Sequence, residues 1–311
     1  NNFLTYNDKI LLLGSCFADN IGAKFQECYF QATINPYGVL YNPLSIAEGL
    51  TRLIEYRPFT EGEMHEFPDG GWNTWLHHSR YSHPDKHTAL TSINESIEQS
   101  SKLLAEANVL IITFGTAWVY EHKATGAVVA NCHKLPQSEF IRRRLSVTEI
   151  IDVFKPLLEG ILRNKNVIFT LSPVRHIADG LAENSLSKAT LRLAIAELCE
   201  QYDNVDYFPA YEIVTDDLRD YRFYTDDLVH PSNQAIEYIW ERFVSGALTA
   251  DAQQLLPKVE KIVAAAAHRP FNPQSEEYKK FCTRYLADAK ALSLIDFSSE
   301  CALFEQYSEK I

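Results

Sequence analysis

Two short segments of the sequence contain residue types that together could activate a serine for attack on a carbonyl carbon. Ser15 follows Gly14 at the end of the apolar run of residues 10–13, and Asp227 and His230 stand three positions apart much later in the chain. In such a set the carboxylate orients the imidazole, and the imidazole accepts the proton of the serine hydroxyl. The sequence therefore predicts Ser15 as nucleophile, His230 as general base and Asp227 as the residue that orients the base.

The position of Ser15 in the predicted secondary structure supports this interpretation. Residues 10–13 have the uninterrupted apolar pattern of a strand buried on both faces of a parallel sheet, and ligands bind at the carboxyl ends of such strands. A turn at Gly14 places Ser15 beside a helix N-terminus, whose free N–H groups can hold an oxyanion. Two alternatives stay open: Ser15 as a helix N-cap, and Cys16 as a thiol nucleophile.

Five segments resemble the GSCFA family, a branch of the SGNH (GDSL-like) hydrolase superfamily. They follow one another in the family's order and together span roughly residues 9–245. They are Gly-Ser-Cys-Phe-Ala at 14–18, Asn-Pro-Tyr-Gly at 35–38, Phe-Gly-Thr-Ala-Trp at 114–118, Ser-Pro-Val-Arg-His at 172–176, and the stretch from Tyr-Arg-Phe-Tyr at 221–224 to His-Pro-Ser at 230–232. The resemblance implies a serine hydrolase in which Ser15, Asp227 and His230 have the roles given above and no cofactor is required.

The same resemblance implies an oxyanion hole built from three donors. The backbone N–H of Ser15 is the first, and a glycine after the second strand, here Gly38, supplies the second. The third donor in the superfamily is the asparagine of a Gly-x-Asn motif, but this chain has Ala117 at that position. Either Thr116 or Asn131 is expected to replace it, and Thr116 is preferred.

The alternation of apolar strands with helical patterns predicts an α/β fold with a parallel sheet. The resemblance implies a three-layer α/β/α sandwich with a flavodoxin-like sheet over residues 1–248, followed by a helical C-terminal extension over 249–311. Besides the strand at 10–13, we expect strands at 30–34, 109–114, 167–171 and 205–208, and helices at 43–56, 93–107, 147–163, 186–202 and 276–292.

Residues 57–91 interrupt this alternation with a long segment rich in aromatic residues and histidine. Trp75 and His77 of this segment, together with His176 and Trp118, are the candidate substrate-binding residues, because aromatic rings suit stacking on a sugar or an acyl chain. His176 is also an alternative base, and an anchored surface loop is the alternative for the whole segment. Its five histidines have no His-x-x-x-His spacing and no accompanying thiolate or carboxylate motif, so no metal site is expected.

Composition favours an ordinary globular enzyme and argues against nucleic-acid binding. Of the 311 residues, 46% are hydrophobic and 23% are charged, and the formal net charge of -12 repels phosphate backbones. The one basic cluster, at 142–144, is expected to form the solvated surface of a loop, and the six cysteines are expected to be free thiols. No signal-peptide core or membrane-length apolar run is present, so a cytoplasmic protein without a membrane span is expected unless a leader has been removed.

The expected reaction is hydrolysis of an ester, either of a small molecule or of an acylated carbohydrate. Two alternatives use the same fold: a non-catalytic module that binds a carbohydrate or another ligand, and an O-acyltransferase that passes the acyl group to a sugar. The superfamily resemblance does not choose among acyl groups or acceptors, and the sequence leaves the oligomeric state open.

Overall fold

A computed structural model describes residues 2–68 and 70–308 of the chain. Its strands are, in chain order, β1 (Lys9–Gly14), β2 (Gln31–Ile34), β3 (His65–Glu66), β4 (Trp72–Asn73), β5 (Val109–Phe114), β6 (Trp118–His122), β7 (Val128–Val129), β8 (Phe140–Arg144), β9 (Asn166–Leu171) and β10 (Val205–Phe208). Its helices are α1 (Cys16–Glu27), α2 (Pro43–Ile54), α3 (Lys86–Glu106), α4 (Val147–Glu159), α5 (Gly180–Gln201), α6 (Ala210–Glu212), α7 (Asn233–Ala247), α8 (Ala250–Ala267), α9 (Glu276–Ala291) and α10 (Ser298–Tyr307).

The central element is a five-stranded parallel sheet with the spatial order β2, β1, β5, β9, β10. Counted along the chain, this is the order 2-1-3-4-5 of flavodoxin-like folds. The register pairs Leu11 with Leu110 and Leu110 with Val167. In this topology the chain changes direction across the sheet between β1 and β5, and ligands bind outside the carboxyl ends of the strands at that point. Ser15 follows β1 there, and Gly115 follows β5.

Both faces of the sheet are buried, as the apolar runs in its strands predict. Leu11, Leu110 and Phe169 pack against α2, α3, α4 and α5 in one hydrophobic core. Leu12 and Ile111, which point to the opposite face, are no more than 3% exposed. The predicted three-layer α/β/α sandwich is therefore confirmed.

Two helices begin earlier than their apolar periodicity predicts. Helix α3 begins at Lys86 rather than near 93, because the Asp85 carboxylate accepts a hydrogen bond from the Thr88 N–H at 2.8 Å and caps the helix. Helix α5 begins at Gly180 rather than near 186. The first turns of both helices are largely polar or exposed, so hydrophobic periodicity carries no signal for them.

A three-stranded antiparallel sheet, in the order β7, β6, β8, was not predicted. The arginines at 142–144 lie on β8, so their expected position on a loop is wrong. Arg142 forms an ion pair with Asp179, and Arg143 lies 2.6 Å from both Glu121 and Glu149. Arg144 lies 3.7 Å from Glu183, so carboxylates neutralise all three guanidinium groups, which explains why such a basic run is tolerated in a short strand.

The chain forms two compact units. The larger contains residues 9–22 and 32–241, and with them the sheet apart from Gln31 and every candidate site residue. The smaller contains residues 2–8, 23–31 and 242–308, with α8, α9 and α10, and it buries Cys282 and Phe304 completely. None of the six cysteines is in a disulfide. In the part of the chain that the structure describes, no helix is long and apolar enough to cross a membrane.

Candidate active site

The turn that carries Ser15 requires a glycine before it. Gly14 has a φ of +141°, and a Cβ placed on it would lie 2.2 Å from the Thr113 carbonyl oxygen of the neighbouring strand. No other residue type fits this approach of β1 to β5 without a shift of the backbone. Ser15 follows directly, is only 1% exposed, and precedes the first residue of α1 at Cys16.

Asn35 fixes the same turn from the end of β2. Its side-chain oxygen accepts a hydrogen bond from the Gly14 N–H at 2.8 Å, and its side-chain amide donates to Asp19 on α1 at 2.6 Å. Asn35 is fully buried and has a φ of +43°, a conformation that asparagine adopts more readily than most residues. One side chain thus joins the strand before Ser15 to the helix after it, and sequence reasoning assigned it no such role.

The Asp227–His230 pair is formed in the loop before α7. Asp227 Oδ2 lies 2.7 Å from His230 Nδ1, while Oδ1 accepts hydrogen bonds from the Thr225 hydroxyl at 2.6 Å and from the N–H groups of Val229 and His230 at 2.8 and 3.0 Å. These hydrogen bonds, the one from Thr225 first, hold the pKa of Asp227 well below its usual range. The carboxylate is therefore charged at neutral pH and fixes the orientation of the imidazole.

Ser15 and His230 line one cavity of about 260 Å³ at the carboxyl edge of the sheet. Its other walls come from the segments after β5 and β9 and from Tyr41. The Arg175 N–H donates to the Val229 carbonyl at 3.2 Å, which ties the Asp227–His230 loop to the segment after β9. Among the described contacts no hydrogen bond joins Ser15 to His230, whose side chain is 49% exposed. Catalytic hydrogen bonds are commonly loose in a free enzyme and tighten when substrate binds.

Cys16 also lines this cavity, but its thiol is a poor nucleophile. Burial raises the pKa of Cys16, and the nearby Asp19 carboxylate raises it further. A thiol with a raised pKa is protonated at neutral pH and therefore unreactive. The chemistry of the cavity favours the Ser15 hydroxyl over the Cys16 thiol.

The predicted oxyanion donors are only partly brought together. Thr116 lines the cavity, but its N–H donates to the Tyr41 carbonyl at 2.9 Å. Gly38 is not among the residues that line the cavity, and its N–H donates to the Asn35 carbonyl at 2.7 Å. Asn131 lies away from the cavity as well, where its N–H donates to the Trp75 carbonyl at 3.3 Å. The N–H of Ser15 itself donates to the Thr113 carbonyl at 3.3 Å, and in the first turn of α1 the Phe17 N–H donates to the Ser15 hydroxyl oxygen at 3.3 Å, as in a helix N-cap.

Of the four candidate substrate-binding residues, the structure brings only His176 to the cavity. Burial lowers the pKa of His176, which makes it a neutral hydrogen-bonding group at neutral pH. His77 is completely buried, and burial lowers its pKa to about 3. Trp118 packs under the Arg142 guanidinium at 4.2 Å, outside the cavity lining.

Trp75 lines a second cavity, of about 560 Å³, beside the segment 57–91. The Trp75 ring centroid lies 4.8 Å from that of His122. Phe59 and Glu48 also line this second cavity. The two cavities flank the start of α2, because Tyr41 lines the first and Leu44 lines the second. The aromatic segment therefore borders a neighbouring site rather than the mouth of the Ser15 cavity. Among residues 2–68 and 70–308, no three His, Cys, Asp or Glu side chains are grouped as metal ligands would be.

Lys188 lies under the Ser15 cavity and was missed by sequence reasoning. It is 2% exposed, and its ammonium group donates to the carbonyls of Gly115 at 2.8 Å and Ser172 at 2.6 Å. A signal was present, since Lys188 precedes Leu191 by three residues on the buried stripe of α5. Such a position is unusual, because lysine is almost never fully buried unless it is paired.

Comparison with known proteins agrees with these observations. The sequence model of the GSCFA family matches residues 9–243, and that of the GSCFA domain protein, C-terminal domain, matches residues 259–310. A search of curated proteins finds no significant match. The first match includes Ser15, the Asp227–His230 pair and every residue that lines their cavity. Because that match covers most of the chain, the chain belongs to the GSCFA family.

Proposed function

We propose that the chain is a serine hydrolase that cleaves an ester through an acyl-enzyme, with the site organisation of SGNH (GDSL-like) hydrolases. One observation carries the proposal. Ser15 and His230 are far apart in the sequence but line the same cavity, and His230 is hydrogen-bonded to Asp227 there. That cavity lies at the edge of the sheet where flavodoxin-like folds bind ligands.

The reaction has two steps that use the same residues. His230 accepts the proton of the Ser15 hydroxyl while the serine oxygen attacks the ester carbonyl carbon, and His230 then donates that proton to the leaving alkoxide. Water, activated by His230, releases the acid from Ser15 in the second step. Asp227 stabilises the imidazolium that forms in each step. Backbone N–H groups at the Ser15 turn stabilise the oxyanion.

The two cavities favour a short acyl group on a sugar. The Ser15 cavity, about 260 Å³, is smaller than the roughly 300–1,000 Å³ typical of pockets for drug-sized ligands, so it suits acetyl better than a long acyl chain. The second cavity combines Trp75 and Phe59 with Glu48 and Glu63, and aromatic faces beside carboxylates suit a sugar ring with its hydroxyl groups. An acetylated carbohydrate is therefore the proposed substrate class.

Substitution of the three catalytic residues tests the proposal. Ser15→Ala and His230→Ala should each lower kcat on a short-chain ester by roughly 10⁴-fold or more, and Asp227→Asn by about 10³-fold, because Asp227 acts by orienting the imidazole. Ser100→Ala is the matched control, since Ser100 is also a buried serine but lies on α3, outside the lining of the Ser15 cavity. An active Ser15→Ala enzyme would refute the mechanism.

Product analysis separates hydrolysis from its alternatives. With an acetylated sugar as donor and a second sugar as acceptor, the hydrolase should release free acetate, whereas an O-acyltransferase would form the acetylated acceptor. Saturable binding of sugars without turnover of any ester, in wild type and Ser15→Ala alike, would instead identify a non-catalytic binding module.

A further inference from the structure

Lys188 forms hydrogen bonds with two segments that line the Ser15 cavity. Gly115 directly follows β5 and Ser172 directly follows β9, and both residues line the cavity. The carbonyl oxygens of both accept a hydrogen bond from the Lys188 ammonium group, at 2.8 and 2.6 Å. The Gly115 peptide continues to Thr116, whose N–H donates to the Tyr41 carbonyl at 2.9 Å. One buried group therefore holds the segments after β5 and β9 together, and the Thr116 N–H joins the first of these to Tyr41.

The charge of Lys188 has no partner of opposite sign in the part of the chain that the structure describes. None of the described ion pairs brings a carboxylate to this lysine. The titratable groups that face it are the Cys16 thiol on α1, His176 after β9, and Tyr211 on α6, whose ring centroid lies 5.7 Å from the ammonium nitrogen. All three are neutral in their ordinary forms at neutral pH, so among the described residues only the two carbonyl dipoles and the Tyr211 ring face the positive charge of Lys188, and no anion does.

We infer that Lys188 is a positioning residue for acyl transfer, which holds the cavity ends of β5 and β9 and supplies, as a buried cation, the charge that balances an oxyanion formed on the Ser15 adduct. This inference rests on the proposed function. A fixed positive charge in a water-poor site stabilises developing negative charge more strongly than the same charge in water does. An uncompensated lysine is costly in the resting protein, and a transient anion at the neighbouring serine reduces that cost in the transition state.

The protonation of Lys188 gives a way to separate its charge from its structural role. Burial lowers the pKa of Lys188 to about 7. The neutral amine keeps two N–H groups, which is the number needed for the Gly115 and Ser172 carbonyls. Deprotonation therefore removes the positive charge while both hydrogen bonds persist. If the charge matters, activity falls as the pH rises through the pKa of Lys188, although the cavity walls stay in place.

Lys165 provides a matched control at the opposite edge of the sheet. Its ammonium group also donates to two backbone carbonyls, those of Ala107 at 2.5 Å and Ala105 at 3.3 Å, and burial lowers its pKa. Lys165 directly precedes β9 and lies at the amino ends of the strands, away from Ser15. Its loss should affect stability without affecting the pH dependence of catalysis.

The experiment is a kcat profile from about pH 5.5 to 9.5 on a small activated ester, for wild type, Lys188→Met, Lys188→Arg and Lys165→Met. We expect wild type and Lys165→Met to lose activity above about pH 7, by roughly tenfold per pH unit. Lys188→Met should be at least about tenfold slower at pH 6 and lack this alkaline decline. Lys188→Arg should remain active at high pH, because arginine stays charged.

Each outcome decides the inference. An unchanged alkaline decline in Lys188→Arg, or no decline in wild type, overturns it, and the Lys188→Arg comparison suffices if Lys188→Met does not fold. A kcat of Lys188→Met within twofold of wild type at every pH also overturns it. Labelling of Ser15 by a fluorophosphonate in the same preparations tests the proposed serine hydrolase function separately from the role of Lys188. An unlabelled wild type overturns the proposed function and this inference together, whereas a labelled wild type with unchanged Lys188 profiles overturns this inference alone.

Discussion

Asn35→Ala should destabilise the protein and misplace Ser15 at the same time. The substitution leaves the buried Gly14 N–H without its acceptor, which costs about 1–3 kcal/mol, and removes a hydrogen bond to Asp19 worth about 1 kcal/mol. Alanine also tolerates the φ of +43° less well, at a cost of about 1 kcal/mol. The expected loss of unfolding free energy is therefore about 4 kcal/mol. A displaced Ser15 should lower kcat by about 10²-fold.

Two further variants at this position separate the costs of the lost acceptor for Gly14, the lost donor to Asp19 and the positive φ. Asn35→Gly avoids the cost of the positive φ, so it should be about 1 kcal/mol more stable than Asn35→Ala. Asn35→Asp keeps an acceptor for the Gly14 N–H but replaces the donor to Asp19 with a second carboxylate. Urea unfolding gives the stabilities, and kcat on a short-chain ester gives the activities. An Asn35→Ala protein within 1 kcal/mol of wild type and with unchanged kcat would refute the role assigned to Asn35.

Two other substitutions test the assignment of the cavities. Trp75→Ala should raise KM for an acetylated oligosaccharide about tenfold, which corresponds to the loss of one ring-stacking contact, and leave kcat/KM for a small acetyl ester unchanged; equal effects on both substrates would remove the second cavity from the sugar site. Cys16→Ser should keep kcat within about threefold of wild type, since a thiol of raised pKa is not the nucleophile. Loss of activity in Cys16→Ser, with inactivation of wild type by iodoacetamide, would instead favour thiol catalysis.

The inner strands β1, β5 and β9 could be predicted because each is a mainly apolar run that ends on a turn residue, and the outer strands β2 and β10 mix polar with apolar residues. Val109–Phe114 and Val205–Phe208 have the bounds expected from the sequence. The antiparallel strand Phe140–Arg144 could not be predicted in the same way, because its arginines are held by carboxylates from distant segments. Such pairing is a long-range property and leaves no periodic pattern in the strand itself.

In the candidate site, too, contacts between residues close in the sequence could be predicted, and contacts between distant residues could not. The short spacing of Asp227 and His230 was sufficient to predict their contact, which the structure contains at 2.7 Å. The surroundings of Ser15 depend on residues that meet only in the folded chain, such as Asn35 and Lys188. The segment 57–91 was recognised as unusual, but the cavity that it borders could not be inferred without the positions of α2 and of the β6–β7 hairpin.

The most direct test of the central claim is covalent labelling of the purified protein with a fluorophosphonate, followed by mass spectrometry to locate the adduct. Such probes react with serine hydroxyls that a neighbouring base activates. We expect one adduct, on Ser15, which is absent from Ser15→Ala and strongly reduced in His230→Ala, while Ser100→Ala is labelled like wild type. Labelling at another residue, or labelling of Ser15 that does not depend on His230, would refute the proposed Ser15–His230–Asp227 mechanism.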